Sequence, residues 1–233
     1  MTWTAFPATP WWFVVVLALV GGAVGEVLRR RLVTGGYRLD DETGPPPPAP
    51  IIVVPVAMAL LWGLLAHRFG PLSEWALTPA YLGFAFVAVA LAWVDADVHR
   101  LPRGLTWPAY PLLAGQLALA SLASGDWAAL RRAALAGLVL WVIYLVLAVI
   151  AALLGSGFGL GDVTLAGLVG LATGYVSVTA TLVATFAAFL LSGLYGVGRI
   201  VLRRGSRKDD IAFGPWMLVG TLIALFVELA PFV

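Results

Sequence analysis

Of the 233 residues, 61% are hydrophobic and 11% are charged, under half the charged share of a soluble domain (roughly a quarter). That balance excludes a soluble globular domain and points to an all-α polytopic membrane protein. The chain has no cysteine, which excludes disulfides, a thiolate nucleophile and zinc–thiolate sites; two histidines are too few for a His-rich metal site, and a net charge of +2 suggests no nucleic-acid partner.

Met1 to Pro10 contains no Lys or Arg, so a cleaved signal peptide, which starts basic, is not expected. Trp11 to Leu28 is the first apolar span, with Trp11 and Trp12 as interfacial anchors and Arg29, Arg30 and Arg31 as its stop. Glu26 lies one turn earlier and should pair with these arginines. Residues 29–50 form a short proline-rich loop, in which Pro45 to Pro48 reads as a stiff, exposed connector. Ile51 to Ala66 is the second span, followed by a loop with His67, Arg68 and Glu74. Ala80 to Val94 is the third span, ending at Asp95.

A short polar loop is expected from Asp95 to Gly104, broken by Pro102, with Asp97 and His99 solvated in it. Leu105 to Leu122 is the fourth span, with a kink at Pro108 or Pro111. Leu130 to Leu154 is the fifth. Asp162 to Ala172 reads as a short sixth helix, too short to cross alone at about 1.5 Å per residue. It either joins the seventh span through a turn at Gly174 or lines a cavity. Val176 to Ile200 is the seventh span, and Arg203 to Asp210 a basic loop. Phe213 to Val233 is the eighth span, with Glu228 near its far end. A single membrane domain, 1–233, of about eight transmembrane helices is the expected architecture.

With eight spans and an outside N-terminus, the loops after spans one, three, five and seven face the cytoplasm. They carry eleven of the fourteen Lys and Arg residues: Arg29, Arg30, Arg31, Arg38, Arg100, Arg103, Arg199, Arg203, Arg204, Arg207 and Lys208. Arg68, Arg131 and Arg132 lie on the other side. The positive-inside rule supports this topology. It also places Asp95 and Asp162 on one face, the cytoplasmic one.

Asp162 follows Gly155-Ser156-Gly157-Phe158-Gly159-Leu160-Gly161, a run with glycine at alternate positions. An ionisable residue at the edge of hydrocarbon is costly and is a functional candidate by default, although Asp at a helix start is also a common N-cap. Two carboxylates at one depth can share a proton. The ionised one activates water while the protonated one donates to a scissile carbonyl, which is aspartic peptidase chemistry and needs no cofactor. Glycines before Asp162 would let a substrate backbone approach closely. A proton-coupled transporter, with Asp95 and Asp162 as relay carboxylates, is the rival reading, and it predicts acidic residues at mid-membrane.

The segment Trp93-Val94-Asp95-Ala96-Asp97-Val98-His99-Arg100-Leu101-Pro102 resembles the first active-site motif of the type IV prepilin peptidases, in which an Asp is followed seven residues later by Pro. Gly159-Leu160-Gly161-Asp162 resembles the GxGD motif of the same family, and Ile211-Ala212-Phe213-Gly214-Pro215 resembles its I-P-F-G-P segment. The three occur in the family's order within residues 80–233. Two positions depart from the pattern: Arg103 stands where the family often has Asp or Asn, and Thr164 where it often has Lys.

The resemblance implies a membrane aspartic endopeptidase with Asp95 and Asp162 as catalytic residues and Gly159, Gly161, Pro102, Gly214 and Pro215 as supporting positions. It implies removal of the basic leader of prepilins or pseudopilins, after a Gly, at the cytoplasmic face of a bacterial inner membrane. Bifunctional members carry a longer segment after the first helix, often with paired cysteines, linked to N-methylation of the new terminus. The segment here is short and has no Cys, so methyl transfer is not expected.

Overall fold

The computed structural model describes residues 9–39, 50–70, 75–154, 159–202 and 212–227. Among them are eight α-helices and no strand. In chain order these are α1 (Trp11–Val33), α2 (Val53–Phe69), α3 (Thr78–Val98), α4 (Arg103–Ser124), α5 (Trp127–Leu153), α6 (Leu160–Val176), α7 (Val178–Val201) and α8 (Gly214–Phe226), with a 3-10 turn (Trp75–Leu77) leading into α3. By length and composition, α1, Trp75–Val98, α5 and α7 can each cross a membrane, while α2, α6 and α8 are shorter apolar helices. The chain is a multi-pass, all-α membrane protein. The polyproline run, Glu74, Gly155 to Phe158, the 203–210 loop, Ile211 and Glu228 lie outside the described residues.

Local chemistry sets several boundaries. α1 runs on to Val33 because its arginines help the helix rather than stop it. Glu26 accepts from Arg29 Nε at 2.6 Å and from Arg30 Nε at 2.9 Å, and cations in a last turn suit the helix dipole. α5 begins where Asp126 accepts from the Ala129 amide at 2.9 Å, and α7 where Ser177 accepts from the Ala180 amide at 2.9 Å. α4 continues through both Pro108 and Pro111.

Two helices run further than the sequence predicts. α3 does not end before Asp95; it continues to Val98, so Asp95 and Asp97 are helical, and the turn comes at His99 (φ 50°). The helix around Asp162 is not a short piece ending at Gly174. α6 has 17 residues, every one of them from Leu165 to Tyr175 buried. Gly174 lies inside it, against α5, where a Cβ would meet the Ala136 Cβ at 2.5 Å; the turn comes at Ser177 instead. Gly170 packs on the Ala136 carbonyl in the same way. Small residues let two helix backbones approach closely, which matters most where no water drives helices together. α6 is thus a central post wrapped by its neighbours, with Leu165, Leu168 and Val169 in the core with Tyr81 and Leu117.

The helices alternate end to end. Tyr37, Asp97, Asp95 and the start of α8 come together at one end, as the hydrogen bonds from Tyr37 to Asp97 and from Gly214 to Asp95 show. At the other end Thr9 donates to the His67 carbonyl, Arg68 to the Leu225 carbonyl, and Arg132 to the carbonyls of Gly174, Tyr175 and Val176. Ser121 meets Tyr175 there as well, at 2.9 Å.

Candidate active site

Asp95 sits on the last turn of α3 and is 5% exposed. Its Oδ2 accepts the backbone N–H of Gly214 at 3.0 Å, from the first residue of α8. A helix N-terminus presents unpaired N–H groups and a positive dipole end, so it suits a buried carboxylate. The approach requires glycine: a Cβ at residue 214 would stand 2.7 Å from Asp95 Oδ2. Pro215 follows in the first turn of α8, where its missing N–H costs no intrahelical bond.

Asp162 lies in the first turn of α6, whose N-cap is Gly159, so Asp162 is not itself the capping residue. It is half-buried, and a Cβ on Gly159 would lie 3.6 Å from its Oδ2, an ordinary contact. Gly161 packs against Leu101, where a Cβ would come within 2.9 Å of the Leu101 Cβ. Leu101 and Pro102 form the turn between α3 and α4, and Pro102 accepts the Leu105 amide at 3.0 Å to start α4. The two Asp-bearing segments therefore touch through Leu101 and Gly161.

Asp95 and Asp162 both line one cleft of about 780 Å³. Both carboxyls lie on the wall of that cleft, and among the described residues no hydrogen bond joins them. Its walls include Gly159, Gly161, Thr164, Trp107 and Trp141, with His99, Arg100 and Arg103 at the rim. Among the described residues no three His, Asp or Glu side chains converge as a metal site would need. A cleft holding two carboxyls at one end of a helical bundle can bring water and a peptide carbonyl between two acid–base groups.

Asp97 departs from the expectation of a solvated loop residue. Its side chain is fully buried and takes hydrogen bonds from Tyr37 Oη at 2.5 Å and from Arg38 Nε and Nη2 at 2.8 and 2.5 Å. Arg38, read as a topology signal, is its partner, and Arg100 donates to the Tyr37 carbonyl at 2.9 Å. Sequence reasoning also missed Tyr110. Its hydroxyl donates to the Thr164 carbonyl at 2.6 Å, two residues after Asp162, and Gly167 leaves the space it occupies. The nearest signal was a tyrosine between two helix prolines, which by itself names no partner.

The chain is similar to curated proteins named prepilin leader peptidase/N-methyltransferase. The relative from Aeromonas salmonicida (strain A449) is 30% identical over 180 residues, 74% of this chain and 56% of the relative. The one from Aeromonas hydrophila is 30% identical over 182 residues, 75% of this chain and 54% of the relative. The one from Bacillus subtilis (strain 168) is 30% identical over 166 residues, 71% of this chain and 61% of the relative. The chain thus spans between half and two thirds of the length of the curated relatives it matches. No family model and no solved structure matches it.

Proposed function

Starting from a chain that is a relative of the prepilin leader peptidases, we propose that it is a membrane aspartic endopeptidase in which Asp95 and Asp162 cut the leader from a prepilin or pseudopilin. The observation that carries this is the cleft: two acids from separate motifs, on α3 and α6, line one cavity at one end of the bundle. The whole chain acts as one membrane-embedded peptidase domain of a bacterial inner membrane, with the cleft facing the cytoplasm and lipid around the bundle. The substrate's apolar stalk stays in the bilayer, and the bond after its Gly meets the cleft where the basic leader begins.

In the reaction the ionised carboxylate takes a proton from water as the oxygen attacks the scissile carbonyl. The protonated carboxyl donates to the carbonyl oxygen. Collapse of the tetrahedral intermediate passes a proton to the leaving amine. The Gly214 amide holds Asp95 through these steps, so its orientation does not depend on substrate. A proton relay across the membrane is the competing use of the same acids. It calls for carboxylates at mid-depth, whereas every described Asp and Glu here (Glu26, Asp95, Asp97, Asp126, Asp162) lies within about two turns of a helix end.

The test incubates membranes holding the protein with a model prepilin and follows leader removal on a gel. Asp95→Asn and Asp162→Asn should each abolish cleavage while the protein stays in the membrane. Retained cleavage in either variant removes that residue from the mechanism. Methyl transfer is assayed in parallel on the new N-terminus, and none is expected.

A further inference from the structure

The geometry points to Asp97 as a positioning residue of the candidate site: its buried clasp on Tyr37 and Arg38 ties the connection after α1 to the end of α3 and so fixes Asp95 relative to Asp162. This inference rests on the peptidase reading above. Residues two apart on a helix point about 200° from one another, so Asp95 and Asp97 serve opposite sides of the last turn of α3. Asp95 faces α8, where Gly214 holds it. Asp97 faces the chain leaving α1, and it is absent from the cleft wall. It cannot touch a substrate in that cleft.

Asp97 is nonetheless strongly held. A planar guanidinium binding both carboxylate oxygens, with a tyrosine hydroxyl on Oδ2, fixes position and angle together. Arg100 adds a second tie from just beyond the helix, through the Tyr37 carbonyl. Between these ties the chain turns at His99 and places Leu101 on Gly161, one residue before Asp162. The end of α3 is therefore gripped on one side by the clasp and on the other by Gly214, with Leu101 reporting its position to α6. Releasing the clasp lets that end shift, and a shift of about 1 Å between reacting groups can cost on the order of a hundredfold in rate.

The test uses the full chain in membranes with the model prepilin. Arg38→Gln with Asp97→Asn removes both charges, so neither is left buried alone. We expect kcat to fall about 10- to 100-fold, up to the cost of a displacement of about 1 Å, with KM within about twofold. Asp97→Glu, which keeps the charge, should restore part of the loss. Because the chain lacks cysteine, Gly104→Cys and Leu160→Cys can be spin-labelled alone. Their distance distribution should be narrow in the parent and broad in the double variant.

Wild-type kcat, a loss confined to KM, or an unchanged distance distribution would each overturn the assignment. If the double variant does not fold, Tyr37→Phe takes its place, with a smaller fall in kcat expected and an unchanged kcat overturning the inference. Full cleavage by Asp95→Asn defeats the peptidase reading itself. A dead Asp95→Asn beside a fully active clasp variant defeats the clasp alone.

Discussion

Single atoms govern the site at the residue scale. Gly214 has an amide that must reach Asp95 and no room for a methyl group, since a Cβ there stands 2.7 Å from the carboxylate. Gly214→Ala should displace Asp95 and lower kcat about 10- to 100-fold with the helical circular dichroism retained. Gly161→Ala should do the same through Leu101. Gly159 differs, because its Cβ would make only an ordinary 3.6 Å contact with Asp162. Gly159→Ala should leave kcat near the parent, and a rise in KM alone would mark the glycine as a substrate contact. Steady-state cleavage of the model prepilin by the three variants reads this split directly. These glycines stand out in the sequence as parts of motifs. Gly161 and Gly214 meet Leu101 and Asp95, tens of positions away in the chain, so no local pattern could supply those contacts.

The element scale is ruled by α6. It is buried almost throughout and held by α5 through Gly170 and Gly174, by α4 through Tyr110, and at its end by Arg132. Tyr110→Phe deletes a half-buried hydrogen bond to the turn that carries Asp162, and it should lower stability by about 1 kcal/mol. Its kcat should fall with it, because the Thr164 carbonyl loses its tie to α4; denaturation in mild detergent and the cleavage assay measure the two. Ser177→Ala removes the N-cap of α7 at the far end and should cost about 1 kcal/mol as well. Cleavage at saturating substrate should be unchanged in that variant, since Ser177 belongs to the end of the bundle away from the cleft. α6 is longer than its hydropathy predicts because Gly174 is a close contact with α5 rather than a turn. Glycine marks both turns and close helix contacts, and hydropathy alone does not separate them.

At the scale of the whole molecule, alternation of the helices puts the end of α1 beside the cleft and the α4–α5 turn at the opposite end. Single cysteines at Thr34 and Ser124 should therefore react with a membrane-impermeant maleimide from opposite faces of the membrane. Thr34→Cys should react only once the cytoplasmic side is opened, and Ser124→Cys in intact spheroplasts. The reverse pattern would contradict a cytoplasmic cleft.

The sequence by itself determined the all-helical membrane class, the eight apolar segments and their alternation, and the resemblance carried by three motifs. Those features are written in composition, run length and the uneven placement of Arg and Lys, each of which acts locally along the chain. The tertiary structure alone decided that Asp97 is buried on Arg38, that α6 is the central post, and that the Gly214 amide grips Asp95 across 119 positions of chain. Hydropathy reports whether a residue prefers lipid or water. Which two polar groups satisfy one another inside the bundle depends on how the helices pack, and that is set by every contact at once.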